Sequence, residues 1–251
     1  MELKNKNAII TGGGGAIGSE IAKRFLEEGA RVIVTDNNQK ALDGVYDKLK
    51  GMGEIFTKSA DVTDESSVLD LVNFAEKQFS GGRIDILANV AGIAPFKHFI
   101  DTDIESFQKV MDINLKGTFL VSRMVSKKMI SSGGGSIINM SSTNGILAEE
   151  GLTGYNASKA AIILLSKTMA LELGKYGIRA NSVCPGWIRT ELQDKSGLPR
   201  EMIDNYIKKI PLGRSGKTSE VADLFVFLAS DRSSFITGTE IVIDGGQICQ
   251  E

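Results

Sequence analysis

Tyr155 and Lys159 stand four residues apart in the stretch Tyr155-Asn156-Ala157-Ser158-Lys159, and Ser142 lies thirteen residues before the tyrosine, just past the apolar run Ser136-Ile137-Ile138-Asn139-Met140. These side chains suit proton transfer. On a helix, positions i and i+4 share a face, which lets the Lys159 ammonium lie beside the Tyr155 phenol and favour its ionised form. A phenol tuned downward serves as both acid and base near neutral pH. A single Tyr-x-x-x-Lys pair is common on solvated helices, so its meaning depends on the rest of the chain.

The elements that must position this trio follow from hydrophobic patterning. Short apolar runs occur at Ala8-Ile9-Ile10, Val32-Ile33-Val34, Ile84 to Ala88, Ser136 to Met140, Ala180 to Cys184 and Ile241-Val242-Ile243, with a weaker one at Glu54 to Thr57. They are apolar on both alternations, as strands covered on both faces must be. Segments of helical period separate them at 16–29, 38–51, 64–80, 103–131, 154–176 and 218–230. This alternation predicts an α/β fold, a doubly wound parallel sheet of about seven strands with helices on both faces. No repeat or linker divides the 251 residues, so one domain over 1–251 is expected. The Gly133-Gly134-Gly135 cluster reads as a turn from helix to strand.

The first strand runs into Thr11-Gly12-Gly13-Gly14-Gly15-Ala16-Ile17-Gly18 and then a helix. A glycine-rich turn in this place lets backbone amides approach a pyrophosphate, which the helix N-terminus stabilises. Residues 13, 15 and 18 satisfy G-x-G-x-x-G, although four consecutive glycines leave the register open. Asp36 follows Gly18 by eighteen residues, close to the spacing of a carboxylate that binds adenosine ribose hydroxyls.

A net charge of −2 and a pI near 5.7 leave no broad basic field for nucleic acid or anionic lipid, so a small-molecule partner is expected. Cys184 and Cys249 form neither a disulfide framework nor a metal-ligand spacing, and no metal is expected. Met1-Glu2-Leu3-Lys4-Asn5-Lys6 enters an apolar run at once, with no signal-type region and no spanning segment. The expectation is a cytoplasmic protein that binds no membrane. His98, the single histidine, is expected at the surface.

With these residues in place the chain resembles the short-chain dehydrogenase/reductase family, in its compact single-domain branch, over nearly its full length. In the family register T-G-x-x-x-G-x-G, the matching residues are Thr11, Gly12, Ala16 and Gly18, alanine replacing the middle glycine, with Gly15 and Ile17 in the same turn. Asp61-Val62 resembles the adenine-contacting pair, and Asn89-Val90-Ala91-Gly92 resembles the N-N-A-G turn with Val90 in place of the second asparagine. Asn114 matches an asparagine that supports a proton relay, while Ser142, Tyr155 and Lys159 match the other catalytic positions. Pro185-Gly186, with Ile188 and Thr190, resembles the segment that holds the nicotinamide carboxamide, and Asp244-Gly245-Gly246 the closing turn. The resemblance implies a Rossmann-like fold and hydride exchange between a nicotinamide cofactor and a secondary alcohol or ketone. It implies that Tyr155 moves the proton, Ser142 donates to the substrate oxygen, Lys159 lowers the Tyr155 pKa and binds the nicotinamide ribose, and Asn114 holds a water.

Asp36 places negative charge where the 2′-phosphate of NADP would sit, and Thr35, Asn37, Asn38 and Gly13 to Gly15 supply no cation. NAD is therefore expected, since two unit charges about 4 Å apart repel by about 4 kcal/mol at an effective dielectric near 20. By resemblance, the substrate pocket forms from Ile93 to Phe96, the loop between Ser142 and Tyr155, and the segment after Pro185. Asn144, Glu150, Trp187 and, second to Glu150, Glu149 suit a small hydroxylated substrate such as a sugar, polyol or hydroxy acid; Arg189 or Arg200 suits an anionic one. A 3-oxoacyl thioester reductase and a non-catalytic dinucleotide sensor are the alternatives. Residues 187–215, with Gly197, Pro199, Pro211 and Gly213 around a short helical pattern from Arg200 to Lys208, resemble a substrate lid. The helices at 103–131 and 154–176 carry apolar residues on more than one face, which by resemblance implies a homotetramer, a dimer of dimers.

Overall fold

The computed structural model describes residues 1–190 and 200–249. Its strands are β1 (Asn7–Thr11), β2 (Arg31–Asp36), β3 (Ile55–Ser59), β4 (Ile86–Asn89), β5 (Gly135–Met140), β6 (Ile178–Pro185) and β9 (Glu240–Ile243), with the two-residue strands β7 (Ile188–Arg189) and β8 (Gly216–Lys217) paired apart. The seven main strands form one parallel sheet in the order β3-β2-β1-β4-β5-β6-β9. The order reverses between β1 and β4, which opens a crevice at the carboxyl ends of those two strands.

Period-two alternation feeds two cores. Ala8, Ile10, Val32, Val34, Ile86 and Ala88 face one layer, built from α1 (Ala16–Glu27), α2 (Gln39–Leu49) and α8 (Thr218–Ala229). Ile9, Ile33, Leu87 and Ile137 face the other, built from α3 (Glu65–Gln78), α5 (Gly117–Ser131) and α6 (Thr153–Leu173). Helices therefore cover both faces, as the uninterrupted apolar strands require. The helical pattern after Pro199 appears as α7 (Arg200–Lys208). Gly133 and Gly134 take φ of +84° and +121° in the expected turn, and β5 begins at Gly135.

The helical stretch expected at 103–131 is present, with one irregularity. It runs through α4 (Ile104–Met111) and α5 as one helical stretch, widened to a π-type turn over Asp112–Lys116. The turn is anchored locally: Thr118 Oγ1 donates to the Asn114 carbonyl at 2.7 Å, and Gly117 lies so close to Val62 that a Cβ there would approach Val62 Cγ2 to 2.6 Å. Such turns often sit at functional positions, and this one presents Asn114. No helix among the described residues is long and apolar enough to cross a membrane.

Candidate active site

The crevice between β1 and β4 is closed by two backbone ties and an obligate glycine. Thr11 Oγ1 accepts from the backbone N–H groups of Val90 (3.1 Å) and Ala91 (3.3 Å), joining the turns after the two strands. Gly12 has φ +63°, and a Cβ on it would meet the Ala91 backbone at 2.6 Å. Helices α2, α3 and α4 begin under capping side chains, from Asn38, Asp64 and Asp103. By contrast α1 begins at Gly15 with no side-chain cap, and Gly15 and Ala16 are exposed. Its first amides thus have no side-chain acceptor and point to where an anion can be bound.

At the end of β2, Asp36 accepts from the N–H of Gly14 through Oδ2 (3.1 Å) and from the N–H of Asn38 through Oδ1 (3.0 Å), which fixes its carboxylate beside the glycine turn. Asp61 accepts from Thr63, Val62 packs over Gly117, and Ile17 packs against the core. A pyrophosphate over uncapped α1, a ribose at Asp36 and a base near Asp61-Val62 all fit these groups. Lys40, not considered in the sequence reading of this end, shares a wall with Gly14 in a groove of about 1020 Å³.

The reacting end is built on β5 and α6. Lys159 is 3% exposed, its Nζ donates to the Met140 carbonyl at 2.7 Å, and it lies 5.4 Å from the centre of the Tyr155 ring. Ser141 Oγ donates to the Lys159 carbonyl at 2.8 Å, and two turns along α6 Asn139 Nδ2 donates to Ser166 Oγ at 2.8 Å, so the helix is pinned to the strand that carries Ser142. Asn114 is fully buried; its Oδ1 accepts from Ile93 N–H (2.8 Å), and its Nδ2 donates to Ile93 O (3.0 Å) and Ser158 Oγ (3.0 Å). A Cβ on Gly92 would come within 3.2 Å of Asn114 Oδ1 and 3.5 Å of Lys159 Nζ, so both flank one point beside that glycine.

A family model described as enoyl-(acyl carrier protein) reductase matches residues 14–247. The 3-oxoacyl-(acyl-carrier-protein) reductase FabG of Thermotoga maritima is 40% identical over 249 residues, covering 99% of this chain and all of that one. The NADP-dependent (R)-specific alcohol dehydrogenase of Lentilactobacillus kefiri is 39% identical over 251 residues, covering 99% and 98%. A solved short-chain type dehydrogenase/reductase from Mycobacterium ulcerans has a TM-score of 0.95 at 30% identity, covering 100% of this chain and 92% of that one. This chain belongs to the short-chain dehydrogenase/reductase family.

Members of this family bind a nicotinamide dinucleotide, and the geometry tests each matched position against that role. Asn89 gives an unexpected result. Its Nδ2 donates to Ser122 Oγ and Asn139 Oδ1, both at 2.8 Å, and its Oδ1 is buried without a partner among the described residues. The side chain ties β4, β5 and α5 together inside the protein, which leaves only its backbone for the cofactor crevice. Pro185 O accepts from Thr143 Oγ1 at 3.3 Å, and Gly186 packs against the closing turn, where a Cβ would meet Asp244 Cβ at 2.6 Å. Ile188 is buried, Thr190 follows β7, and Trp187 stacks on Tyr206 of α7 with centroids 4.2 Å apart. Gly197, Pro199 and the Arg200 side chain lie outside the described residues.

The expected lowering of the Tyr155 pKa by Lys159 is corrected here. Burial is the largest influence and raises the phenol above its usual value; a hydrogen bond with Ser142 lowers it, and the charges of Glu149 and Cys184 raise it further. Lys159 is turned toward Met140, and burial lowers its own pKa to about 8. Asn114 meets a constraint of a different kind. Both its amide protons are used, so Asn114 could hold a water only as an acceptor, through Oδ1 or its backbone carbonyl.

The two loop glutamates exchange the roles expected of them. Glu150 is 86% exposed, with its carboxylate 3.4 Å from His98 Nδ1. Glu149 instead turns inward, and its Oε2 accepts from Asn144 Nδ2 at 3.1 Å. Asn156, missed because it adjoins Tyr155 on a neighbouring helix face, accepts from the same Asn144 amide at 3.1 Å and donates to the Glu149 carbonyl at 2.8 Å. A cavity of about 240 Å³ lies on another side of Tyr155, lined by Ile93, Pro95, Phe96 and Val110.

Proposed function

We propose that this protein is an NAD-dependent dehydrogenase that interconverts a secondary alcohol and a ketone on a small hydroxylated substrate. The observation that carries the reading is the convergence of Ser142, Tyr155 and Lys159 on one end of a crevice whose other end has the uncapped α1 and the anchored Asp36. The cofactor, when bound, accepts or supplies the hydride. In reduction, Tyr155 gives its proton to the carbonyl oxygen while Ser142 donates a hydrogen bond to the same oxygen; in oxidation, Tyr155 takes the alcohol proton. A phenol held protonated by burial suits the first direction at neutral pH. Lys159 would hold the nicotinamide ribose, and Gly12, Gly15, Ala16, Ile17, Gly18, Asp61, Val62, Ala91, Gly92, Pro185, Gly186, Ile188 and Thr190 would line the rest of the cofactor path.

Assembly as a homotetramer is part of the proposal. Val110, Leu120, Val125, Ile162 and Ile163 are buried in the chain's own core, whereas Phe119, Leu164 and Leu171 on α5 and α6 stay exposed, as a second subunit's contact face requires. Two free cysteines, one exposed, suit a reducing cytoplasm. A second reading, reduction of a 3-oxoacyl thioester, draws support from the exposed apolar rim of Phe96, Phe99 and Ile100. The experiment is a screen of the purified protein with NAD(H) and NADP(H) over polyols, sugars, hydroxy acids, simple alcohols and a 3-oxoacyl thioester. Turnover of a hydroxylated substrate with NAD is expected; best turnover of the thioester, or with NADP, would replace this reading. Light scattering at micromolar concentration should give the tetramer mass.

A further inference from the structure

Among the described residues, Glu149 is the one carboxylate joined to Ser142, through Asn144. Its Oε2 accepts from Asn144 Nδ2 (3.1 Å), and the backbone N–H of Asn144 in turn donates to Ser142 Oγ (3.1 Å). The loop is held in this position, because Asn156 of α6, adjacent to Tyr155, donates to the Glu149 carbonyl at 2.8 Å. Glu149 Oε1 has no hydrogen bond, and no cation pairs with the carboxylate, among the described residues. Its charge reaches the reacting proton, since it is the leading charged group that raises the Tyr155 phenol. The other ionisable group that acts on this phenol is Cys184 of β6, which raises it; Lys159 of α6 lies 5.4 Å from the ring centre, with its ammonium turned to the Met140 carbonyl. The site therefore holds a carboxylate with no cation paired to it among the described residues and one oxygen available, joined to Ser142 through Asn144.

We infer that Glu149 sets substrate specificity: it accepts a hydrogen bond from a hydroxyl next to the reacting carbon and rejects substrates that carry a carboxylate or phosphate in that place. This rests on the alcohol–ketone reading above and narrows it, selecting neutral vicinal diols and hydroxyketones over hydroxy acids. A hydroxyl donor gains a charge-assisted hydrogen bond, whereas an anion meets a like charge in a partly desolvated site. Discrimination then comes from both an attractive and a repulsive element.

The test compares three probes that differ at one position: cyclohexanol, the vicinal cyclohexanediol and the ring-matched vicinal hydroxycarboxylate. The native enzyme should favour the diol over the hydroxycarboxylate in kcat/KM by about a hundredfold. In Glu149→Gln, which keeps an acceptor for Asn144 and deletes only the charge, KM for the diol should rise about tenfold and the diol-to-carboxylate ratio should fall by about a hundredfold. The pH profile of kcat should also move to lower pH, because the group that raises Tyr155 has lost its charge. A uniform loss on all three probes would mean that Glu149 merely braces Asn144, and would overturn the proposal, as would a native enzyme indifferent to the carboxylate. If no probe is turned over, the alcohol–ketone reading fails, and calorimetry of the same probes with the NADH-loaded protein decides the role of Glu149. A diol preference that disappears in Glu149→Gln sustains it, and equal binding by native and variant protein ends it.

Discussion

Lys159 and Asn114, at 3% and 0% exposed, occupy the floor of the cleft, while Glu150 and Phe99 stand on its rim at 86% and 76%. On the floor, polar atoms are tied to backbone of neighbouring segments: Lys159 to Met140, Ser141 to Lys159, Asn114 to Ile93. On the rim, the contacts are side chain to side chain, such as His98 with Glu150 or Trp187 on Tyr206. Buried ties to backbone allow little adjustment, since leaving a buried donor unpaired costs about 1–3 kcal/mol. Exposed pairs are worth about 0–1 kcal/mol and rearrange freely. Reaction chemistry is thus placed where the fold is least adjustable, and substrate choice where it is most so.

The sharpest way to break this contrast is at the floor. Tyr155→Phe deletes only the hydroxyl, so turnover should fall by at least about a thousandfold while cofactor binding, measured by titration, persists. Near-normal turnover would remove Tyr155 from the reaction. At the adenosine end the effect should be smaller. The native enzyme should prefer NAD to NADP by about a hundredfold or more in kcat/KM, and Asp36→Ala should narrow this to about tenfold, chiefly through a weaker NAD affinity as the carboxylate's charge and its hold on Gly14 are lost. Equal use of both cofactors by the native protein would refute the charge argument and bring Lys40 into consideration.

A third effect concerns stability. The folded Lys159 pKa, about 8, lies below its ordinary value of 10.5, so the unfolded chain holds this proton more tightly. Folding is then opposed by about 3 kcal/mol below pH 8, and this opposition fades as pH rises from 8 through 10.5. Lys159→Met should therefore be the more stable protein in urea at pH 7, and its advantage should shrink by pH 10. A gap that does not depend on pH would point to packing instead of charge. The smallest change belongs to the rim: Glu150→Ala should leave kcat/KM within about twofold on every substrate, because its carboxylate faces solvent and His98.

Much of this was legible along the chain. Seven apolar runs marked the strands, because burial on both faces leaves a β-strand no polar alternation to show. Tyr155, Lys159 and the glycine turn were legible because helix spacing and a tight turn are local requirements. The widened turn at Asp112–Lys116 was not, since it hardly disturbs the apolar period on either side; it becomes visible only through Ile93, twenty-one residues away, pairing with Asn114. Glu149 and Glu150 are the same residue type one position apart, and nothing local separates them.

The sequence by itself determined the order of strands and helices, the turn that needs Gly12 and the side chains capable of proton transfer, because each depends on neighbours within a few residues. Only the tertiary structure decided that Asn89 braces the sheet, that Glu149 instead of Glu150 turns toward Ser142, and that Tyr155 is raised instead of lowered. Those outcomes depend on desolvation and on hydrogen bonds between residues far apart in the chain, which exist only once β4, β5 and α6 have packed together.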